Sequence, residues 1–312
     1  MATGLTECVP NFSEGRRSDV LEALAASIRA VPGVRLLDAS PDADHHRTVF
    51  TFVGSPDGLV EAAFRSAAVA VARIDMRTHR GVHPRIGAVD VIPFVPLFGV
   101  TMSSCVALAR RLGARLASDL GLAVYLYGEA AVCPGRSLAA IRRGEFEGLR
   151  SAIADPARRP DLGPSRVHPS AGAVAVGARN ILIAYNVDLE SPDVEAARAI
   201  ARAVRQSSGG LPGVQAMGVL LPGRGLAQVS MNLLDFRRTS MLDAFQAVAS
   251  EAAARGIAIA SSELIGCAPR EALPPDPVAT LRLRALRAEQ VLDAARLARA
   301  LDAPAPPPGG EG

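Results

Sequence analysis

The chain has 312 residues, of which 49% are hydrophobic and 21% charged, and its formal net charge is +3. This composition is that of an ordinary globular protein, and the length suits one large domain or two smaller ones. The small net charge, without a dense basic run, excludes the electrostatic footprint of a nucleic-acid-binding protein. Because the N-terminus has no secretory signal pattern and no segment has the length of an uncharged membrane helix, we expect a cytoplasmic protein without membrane contact.

The first half of the chain predicts an order that starts β-α-β-β-α. Its first helix is amphipathic, and Ser18 is the predicted N-cap of that helix. The predicted elements are a strand over 5–12, a helix over 18–30, strands over 34–40 and 47–54, a helix over 59–74, a strand over 90–97, a helix over 103–120, a strand over 123–129 and a helix over 137–144.

The second half repeats the same plan after a connection over 150–175 that is rich in Pro and Gly. An Arg-rich amphipathic helix is predicted over 278–301, ahead of a Pro-rich tail. The repeated elements are a strand over 181–189, a helix over 192–205, strands over 214–222 and 226–234, a helix over 241–256 and a strand over 257–266.

Split β-α-β units of this kind build a sheet with helices on one face. We therefore predict an α/β (α+β) fold with two subdomains, 1–178 and 179–302, whose mixed sheets face each other with helices outside. The tail over 303–312 is predicted to be disordered. Residues on the inner faces would line a shared crevice, which is where we expect the functional site.

The segment over 74–94 concentrates His, Arg and Asp residues between a predicted helix and a strand. His79 and His83 are four residues apart, but Gly81 and Pro84 argue against a helix that would pair them on a metal. The four cysteines are widely spaced, so we expect neither a metal nor a disulfide framework. His83 is instead a candidate general acid and base.

Other polar residues stand in strand-like surroundings. Asn11 and Asn186 end the first strand of each repeat, and at least one is predicted to touch substrate, although turn chemistry is the plainer explanation for Asn. The pair at 45–46 is predicted to lie in a polar hairpin loop. Glu7 and Glu129 interrupt apolar runs, which predicts that they face a wet cavity.

Seven segments follow one another in order along the chain: CVPNFSEG (8–15), RTVFTFVG (47–54), IDM (74–76), HPRIGAVDVIPF (83–94), VYLYGEAA (124–131), GARNILIAYN (177–186) and AQVSMNLLDF (227–236). Taken together, they resemble glutamate formimidoyltransferase, the folate enzyme of histidine degradation. The resemblance implies two α/β subdomains around a tunnel, usually in a homodimer, and tetrahydrofolate as co-substrate without a metal. It extends as far as Ser262–Gly266 and leaves no counterpart for the cyclodeaminase portion of the animal enzyme.

The same resemblance implies that His83, in the H-P-R motif, is the catalytic residue. It also implies a folate-binding loop. Val82 stands where vertebrate members have Glu, and Ala171 stands where they have Trp in the loop, so an orienting carboxylate and a stacking ring are missing. The loop consists of Gly163, Pro164, Ser165, Arg166, Val167, His168, Pro169, Ser170, Ala171 and Gly172.

The reaction has chemical requirements of its own. N5 of tetrahydrofolate attacks the amidine carbon, and the glutamate nitrogen leaves only once it is protonated, so one histidine can serve both steps. Asp38 and Asp90 are the candidate catalytic carboxylates that orient it, although both also suit turns or strand ends. Arg47 and Arg85 are candidates for binding substrate carboxylates.

Two alternatives remain open. N-formylglutamate could be the donor instead, since the two donors differ only in an oxygen or a nitrogen at the transferred carbon. A folate-binding protein without transferase activity is the second alternative, suggested by the altered loop. Nucleotide-binding and serine hydrolase folds are disfavoured, because neither a P-loop, a strand-linked G-x-G-x-x-G nor a G-x-S-x-G motif occurs.

Overall fold

The computed structural model describes residues 4–133 and 136–302, except for the side chains of 298–300 and 302. The chain forms two α/β units, each with a sheet and helices packed on one face of it. The tail over 303–312, predicted to be disordered, lies outside the described residues. In the described part of the chain, no helix combines the length and the apolar character needed to cross a bilayer.

The first subdomain is built on a seven-stranded mixed sheet. Its elements are β1 (Leu5–Cys8), β2 (Asn11–Phe12), α1 (Ser18–Arg29), β3 (Val34–Asp42), β4 (Arg47–Gly54), α2 (Pro56–Arg73), β5 (Val89–Phe98), α3 (Met102–Leu120), β6 (Ala123–Gly128), α4 (Leu138–Ile141), α5 (Glu145–Ala152) and β7 (Ala173–Ala178). Strand β3 pairs with β4, and β4 and β5 flank the consecutive strands β1 and β2. Strand β7 runs parallel to both β5 and β6, between them. Helices α1, α2 and α3 cover one face of this sheet.

The second subdomain is built on a four-stranded antiparallel sheet in the order β11-β8-β10-β9. Its elements are β8 (Ile183–Leu189), α6 (Val194–Val204), β9 (Val214–Leu221), β10 (Leu226–Leu233), α7 (Met241–Ala253), β11 (Ile259–Ile265), β12 (Ala268–Pro269), α8 (Pro277–Leu281), β13 (Val291–Leu292) and α9 (Ala294–Asp302). Helices α6 and α7 pack on one face. The repeated plan predicted for the two halves is confirmed for these strands and helices.

The strands place apolar side chains under helices α1–α3 and α6–α7 and turn their opposite face toward the other subdomain, except where α4 and α5 pack on that face beside β6 and β7. Phe50 and Phe52 in β4 are buried in the helix-side core, whereas Thr51 between them lines the space between the sheets. In β8, Tyr185 packs under the helices and Asn186 lines the same space. Because successive strand residues point to opposite faces, this alternation sets the two sheets face to face. The predicted arrangement of the sheets is confirmed.

The connection predicted over 150–175 is only partly a loop. Its last residues enter β7, a central strand, and α5 precedes it without having been predicted. The sequence of β7 is AVAVGA, and all six residues are buried, so it shows no alternation of apolar with polar residues that would mark a half-buried strand. The predicted cap of α1 is also wrong, because Ser18 is its first helical residue and Arg17 precedes it without a side-chain cap.

The single helix predicted over 278–301 is wrong. The segment is divided into α8, β13 and α9, and Arg282, in the left-handed conformation at φ 53°, ends α8. Leu292 and Leu297 pack in one apolar cluster with Val53 of the first sheet. Tertiary burial in two different places therefore overrides the local helical pattern. As a result, the end of the chain ties the second subdomain back to the first.

Candidate active site

A cleft of about 1300 Å³ lies between the two sheets, and residues from both subdomains line it. The first subdomain contributes most of the charged side chains, and the second contributes mainly neutral polar ones together with Glu263. Lining residues of the first subdomain include Glu7, Asn11, Arg47, His83 and Arg142, and those of the second include Asn186, Gln215, Ser230 and Asn232.

His83 lies in the loop between α2 and β5, on the wall of the cleft. Its Nδ1 is 2.7 Å from the carbonyl oxygen of Pro84. Because a carbonyl only accepts, the proton of a neutral ring is on Nδ1, and Nε2 carries the lone pair. Among the described residues, Nε2 has no hydrogen-bond partner, so it is available to a substrate in the cleft.

The surroundings of His83 keep its ring neutral. Burial lowers the pKa of His83 well below its usual value, and the positive charges of Arg47 and Arg142 lower it further, while Asp90 opposes them. At neutral pH the ring is therefore a base with an open Nε2. Once protonated, it is a stronger acid than an ordinary imidazolium, because the same surroundings disfavour the charged ring.

Asp90 holds these two arginines together beneath the cleft. Its Oδ2 accepts from Arg47 at 2.8 Å and from Arg142, and its Oδ1 accepts from the backbone N–H of Ile86 at 2.9 Å. Burial opposes its ionisation, but Arg142 and Arg47 hold the pKa of Asp90 well below its usual range. Asn11 adds its Oδ1 as acceptor for Arg47 at 2.8 and 3.1 Å. Two guanidinium groups against one carboxylate leave one net positive charge beside His83.

His45 connects this region to the second subdomain. Its ring centroid is 6.0 Å from that of His83, and its Nε2 lies 3.1 Å from Oε1 of Gln228. The amide nitrogen of Gln228 donates to Asp188 at 2.8 Å and to Glu263 at 2.9 Å. The amide oxygen of Gln228 therefore accepts, and the proton on His45 lies on Nε2. His45 lies in the hairpin loop that joins β3 to β4, as predicted, and its side chain is buried at the cleft.

Three of the predicted substrate-binding residues, Asn11, Arg47 and Asn186, line the cleft. The side-chain amide of Asn11 is engaged with Arg47 and with the carbonyl of Val9, at 2.8 Å, so it positions the guanidinium group. Asn186 donates to Glu263 at 3.0 Å. The prediction that Glu7 and Glu129 face a cavity is confirmed, because both line the cleft.

The other predicted residues lie away from the open cleft. Asp38 is buried, where it accepts from Ser40 Oγ at 2.5 Å and pairs with Arg287. Arg85 forms ion pairs with Glu145 and Glu147, at 2.5 and 2.7 Å, and its Nε donates to His79 Nδ1 at 3.2 Å. Among the described residues, neither Asp38 nor Asp90 bonds to the His83 ring, so the orienting acceptor is the Pro84 carbonyl and not a carboxylate.

The predicted folate loop, 163–172, forms a tight turn of its own. The backbone groups of His168 and Gly172 bond to each other at 3.1 Å, and Ala171 is buried and donates to His168 Nδ1 at 3.0 Å. None of its ten residues, all within the described range, lines the cleft. Its folate-binding role stays a prediction that the position of the loop does not favour.

The sequence analysis did not predict Arg142 and Gln228 as site residues, for a physical reason. Arg142 follows the short helix α4 in a run of two arginines, and Gln228 alternates with apolar residues in β10, so neither pattern marks a site. Their roles arise from contacts across 52 and 183 positions of sequence, with Asp90 and His45. Such pairings are set by topology rather than by local sequence.

Comparison with known proteins places this architecture in a family. The sequence model described as "Formiminotransferase domain, N-terminal subdomain" matches residues 5–179, and that described as "Formiminotransferase domain" matches residues 184–275. The chain belongs to the formiminotransferase family. The two matched segments correspond to the two facing sheets.

Members of the formiminotransferase family from distant organisms are similar over most of the chain. A glutamate formimidoyltransferase of Thermoplasma acidophilum is 47% identical over 272 residues, covering 86% of this chain and 89% of the relative. One of Streptococcus pyogenes serotype M1 is 43% identical over 270 residues, covering 86% and 90%. A formimidoyltransferase-cyclodeaminase of Sus scrofa is 45% identical over 276 residues, which cover 86% of this chain but 51% of that longer protein.

Proposed function

We propose that this protein is a folate-dependent glutamate formimidoyltransferase. It transfers the formimidoyl group of N-formimidoyl-L-glutamate to N5 of tetrahydrofolate in histidine degradation. Membership of the formiminotransferase family and the similarity to glutamate formimidoyltransferases support the substrate class. The observation that carries the proposal is His83, a neutral imidazole with an open Nε2 on the wall of a cleft large enough for two substrates.

The proton transfers follow from the state of this ring. N5 of tetrahydrofolate attacks the amidine carbon, a new C–N bond forms, and Nε2 of His83 takes the proton that N5 releases. The imidazolium then gives that proton to the glutamate nitrogen, whose bond to the carbon breaks. Because His83 resists protonation, the proton it holds in the intermediate is readily donated. The proton count balances with one histidine.

The net positive charge next to His83 suits a substrate with two carboxylates. Arg47 and Arg142 line the cleft, and the Nε of Arg142 is buried without a hydrogen-bond partner among the described residues. A carboxylate of the formimidoyl donor would accept from this guanidinium group. Binding there places the amidine carbon near His83 and replaces a bimolecular encounter with a positioned one.

The reaction can be tested with purified protein and two donors. We expect release of glutamate from N-formimidoyl-L-glutamate, dependent on tetrahydrofolate and followed spectrophotometrically through the folate product. Release from N-formyl-L-glutamate alone would make the protein a formyltransferase. Binding of tetrahydrofolate without turnover of either donor would make it a folate-binding protein, and either outcome would overturn the proposal.

The family resemblance also supports a cytoplasmic homodimer whose partners are the small-molecule substrates, without nucleic acid, membrane or metal. Light scattering on the purified protein is expected to give twice the chain mass of 32.4 kDa. A monomeric mass would contradict the dimer and leave the transfer reaction unaffected, because the cleft is built from the two subdomains of one chain.

A further inference from the structure

Glu7 is a buried carboxylate that faces the cleft. It lies in β1 with only 4% of its surface exposed, and it is one of the residues that line the cavity. Its neighbour Cys8 points the other way, into the core beneath the helices, as strand alternation requires. On the side of Glu7, the sheet carries Leu5 and Val53, which belong to an apolar cluster. Glu7 therefore lies where the cleft adjoins this apolar cluster, and Thr51 and Arg179 are also in the lining.

This carboxylate has no hydrogen-bond or ion-pair partner in the described part of the chain. Arg179 acts on it only as a charge at a distance. Burial raises the pKa of Glu7 to about 7, with Arg179 opposing the shift. A buried carboxylate without donors is costly, and a ligand that brings N–H groups would remove that cost.

The position of Glu7 limits which ligand group can reach it. Asn11, which binds Arg47 near His83, lies four residues further along the same face, about 13 Å away at the rise of a strand. The amidine carbon must lie at His83, and the remaining charged groups of the donor are carboxylates, which a carboxylate repels. The folate tail also ends in carboxylates. The pyrimidine edge of the pterin, however, carries two adjacent N–H donors on the side away from its reactive nitrogen.

We infer that Glu7 anchors the pterin ring by accepting hydrogen bonds from its 2-amino group and N3–H. The inference rests on the proposed function and assigns the folate ring to the Glu7 end of the cleft. A paired carboxylate fixes both the position and the rotation of a flat ring, which directs N5 toward His83. Glu7 is thus a recognition residue for the co-substrate.

The experiment combines a change in the protein with a change in the ligand. The dissociation constants of tetrahydrofolate and of its 2-desamino analogue are measured by anaerobic calorimetry for the wild type and for Glu7→Gln. We expect the wild type to bind the analogue ~10- to 100-fold more weakly, since it lacks a donor to a charged acceptor. Glu7→Gln should weaken tetrahydrofolate binding to a similar degree and bring the two ligands within about threefold of each other. The KM for N-formimidoyl-L-glutamate should stay unchanged.

Glu129→Gln is the matched control, because Glu129 also lines the cleft but is exposed. It should retain the wild-type preference for tetrahydrofolate over the analogue. If Glu7→Gln still preferred tetrahydrofolate over the analogue as strongly as the wild type, the inference would be wrong. It would also be wrong if the wild type bound both ligands equally. Neither result would contradict formimidoyl transfer. A wild type that neither binds tetrahydrofolate nor releases glutamate would instead show that the proposed function is wrong.

Discussion

The two inner faces of the cleft share one strand plan but differ in chemistry. The face of the first subdomain carries groups that titrate or hold charge, among them His83, Arg47 and Glu7. Apart from Glu263, the face of the second carries neutral amides and hydroxyls, which occupy opposed positions in the strand register, with Asn186 opposite Ser230 and Gln215 opposite Asn232. We therefore expect a division of tasks, with proton transfer on the first face and mainly neutral hydrogen bonding on the second.

Charge on the second subdomain is not absent but paired. Asp188 and Glu263 both lie close to Arg224 and Arg284, with Arg224 Nη1 at 3.6 and 4.0 Å from their carboxylates. Gln228 donates to both carboxylates as well. These groups are committed to one another, whereas His83 on the opposite face keeps a free lone pair. We therefore expect substitutions on the first face to lower kcat and substitutions on the second face to weaken substrate binding.

The largest expected effect comes from removing the imidazole. His83→Ala should lower kcat by ~10²- to 10⁴-fold, because both proton transfers lose their carrier. Steady-state kinetics with N-formimidoyl-L-glutamate and tetrahydrofolate measure this loss, and calorimetry checks that folate still binds. Added imidazole should restore part of the rate. An unchanged kcat would show that His83 has no catalytic role and that the first face is not the chemical one.

Breaking the ion cluster beneath the first face is expected to cost stability. Asp90→Asn should lower the free energy of unfolding by about 3–5 kcal/mol, because it leaves two guanidinium groups without their buried partner. Urea unfolding monitored by circular dichroism gives this value. The control is Asp119→Asn, which removes an exposed carboxylate 3.5 Å from Arg115 and should cost less than about 1 kcal/mol. Equal losses in the free energy of unfolding of the two variants would show that the buried ion cluster stabilises the protein no more than an exposed ion pair does.

The buried carboxylate of Glu7, on the first face, makes the stability of the protein depend on pH. Because the pKa of Glu7 is about 7 in the folded protein against 4.5 as its ordinary value, the folded state holds the proton more tightly. Wild-type stability should therefore fall as pH rises from 4.5 to about 7, by up to about 3 kcal/mol from this group. Glu7→Gln does not titrate, so its advantage in free energy of unfolding over the wild type should grow between pH 5 and pH 8.

Urea unfolding at both pH values tests this expectation. Glu129→Gln serves as control and should change the free energy of unfolding by less than about 0.5 kcal/mol, since that carboxylate is exposed. A difference between Glu7→Gln and the wild type that stays the same at both pH values would mean that burial of Glu7 carries no cost. In that case the buried carboxylate of Glu7 would not lower the stability of the protein, and folate recognition would not come at the expense of stability.

Sequence periodicity was sufficient for the sheets and for the helices that cover them, because each strand needs one apolar face under a helix. It failed where burial on both faces hides the period, as in β7, and where distant packing divides a local pattern, as in the segment over 278–301. Within the site, a local motif singled out His83. The pKa of its ring depends on Arg142 and Asp90, and the position of its proton depends on the Pro84 carbonyl. These roles follow from the folded structure.

The smallest expected effect concerns the neutral face. Asn232 lines the cleft in β10, and Asn232→Ala should raise KM for one of the two substrates about three- to tenfold with kcat retained, because a neutral hydrogen bond contributes ~0.5–1.5 kcal/mol to binding. Steady-state kinetics with each substrate varied in turn identify which one it contacts. Asn180→Ala removes an exposed amide outside the cleft lining and should leave both KM values unchanged. A fall in kcat without a change in KM would place Asn232 in the chemical step, and the division of tasks between the two faces would then be wrong.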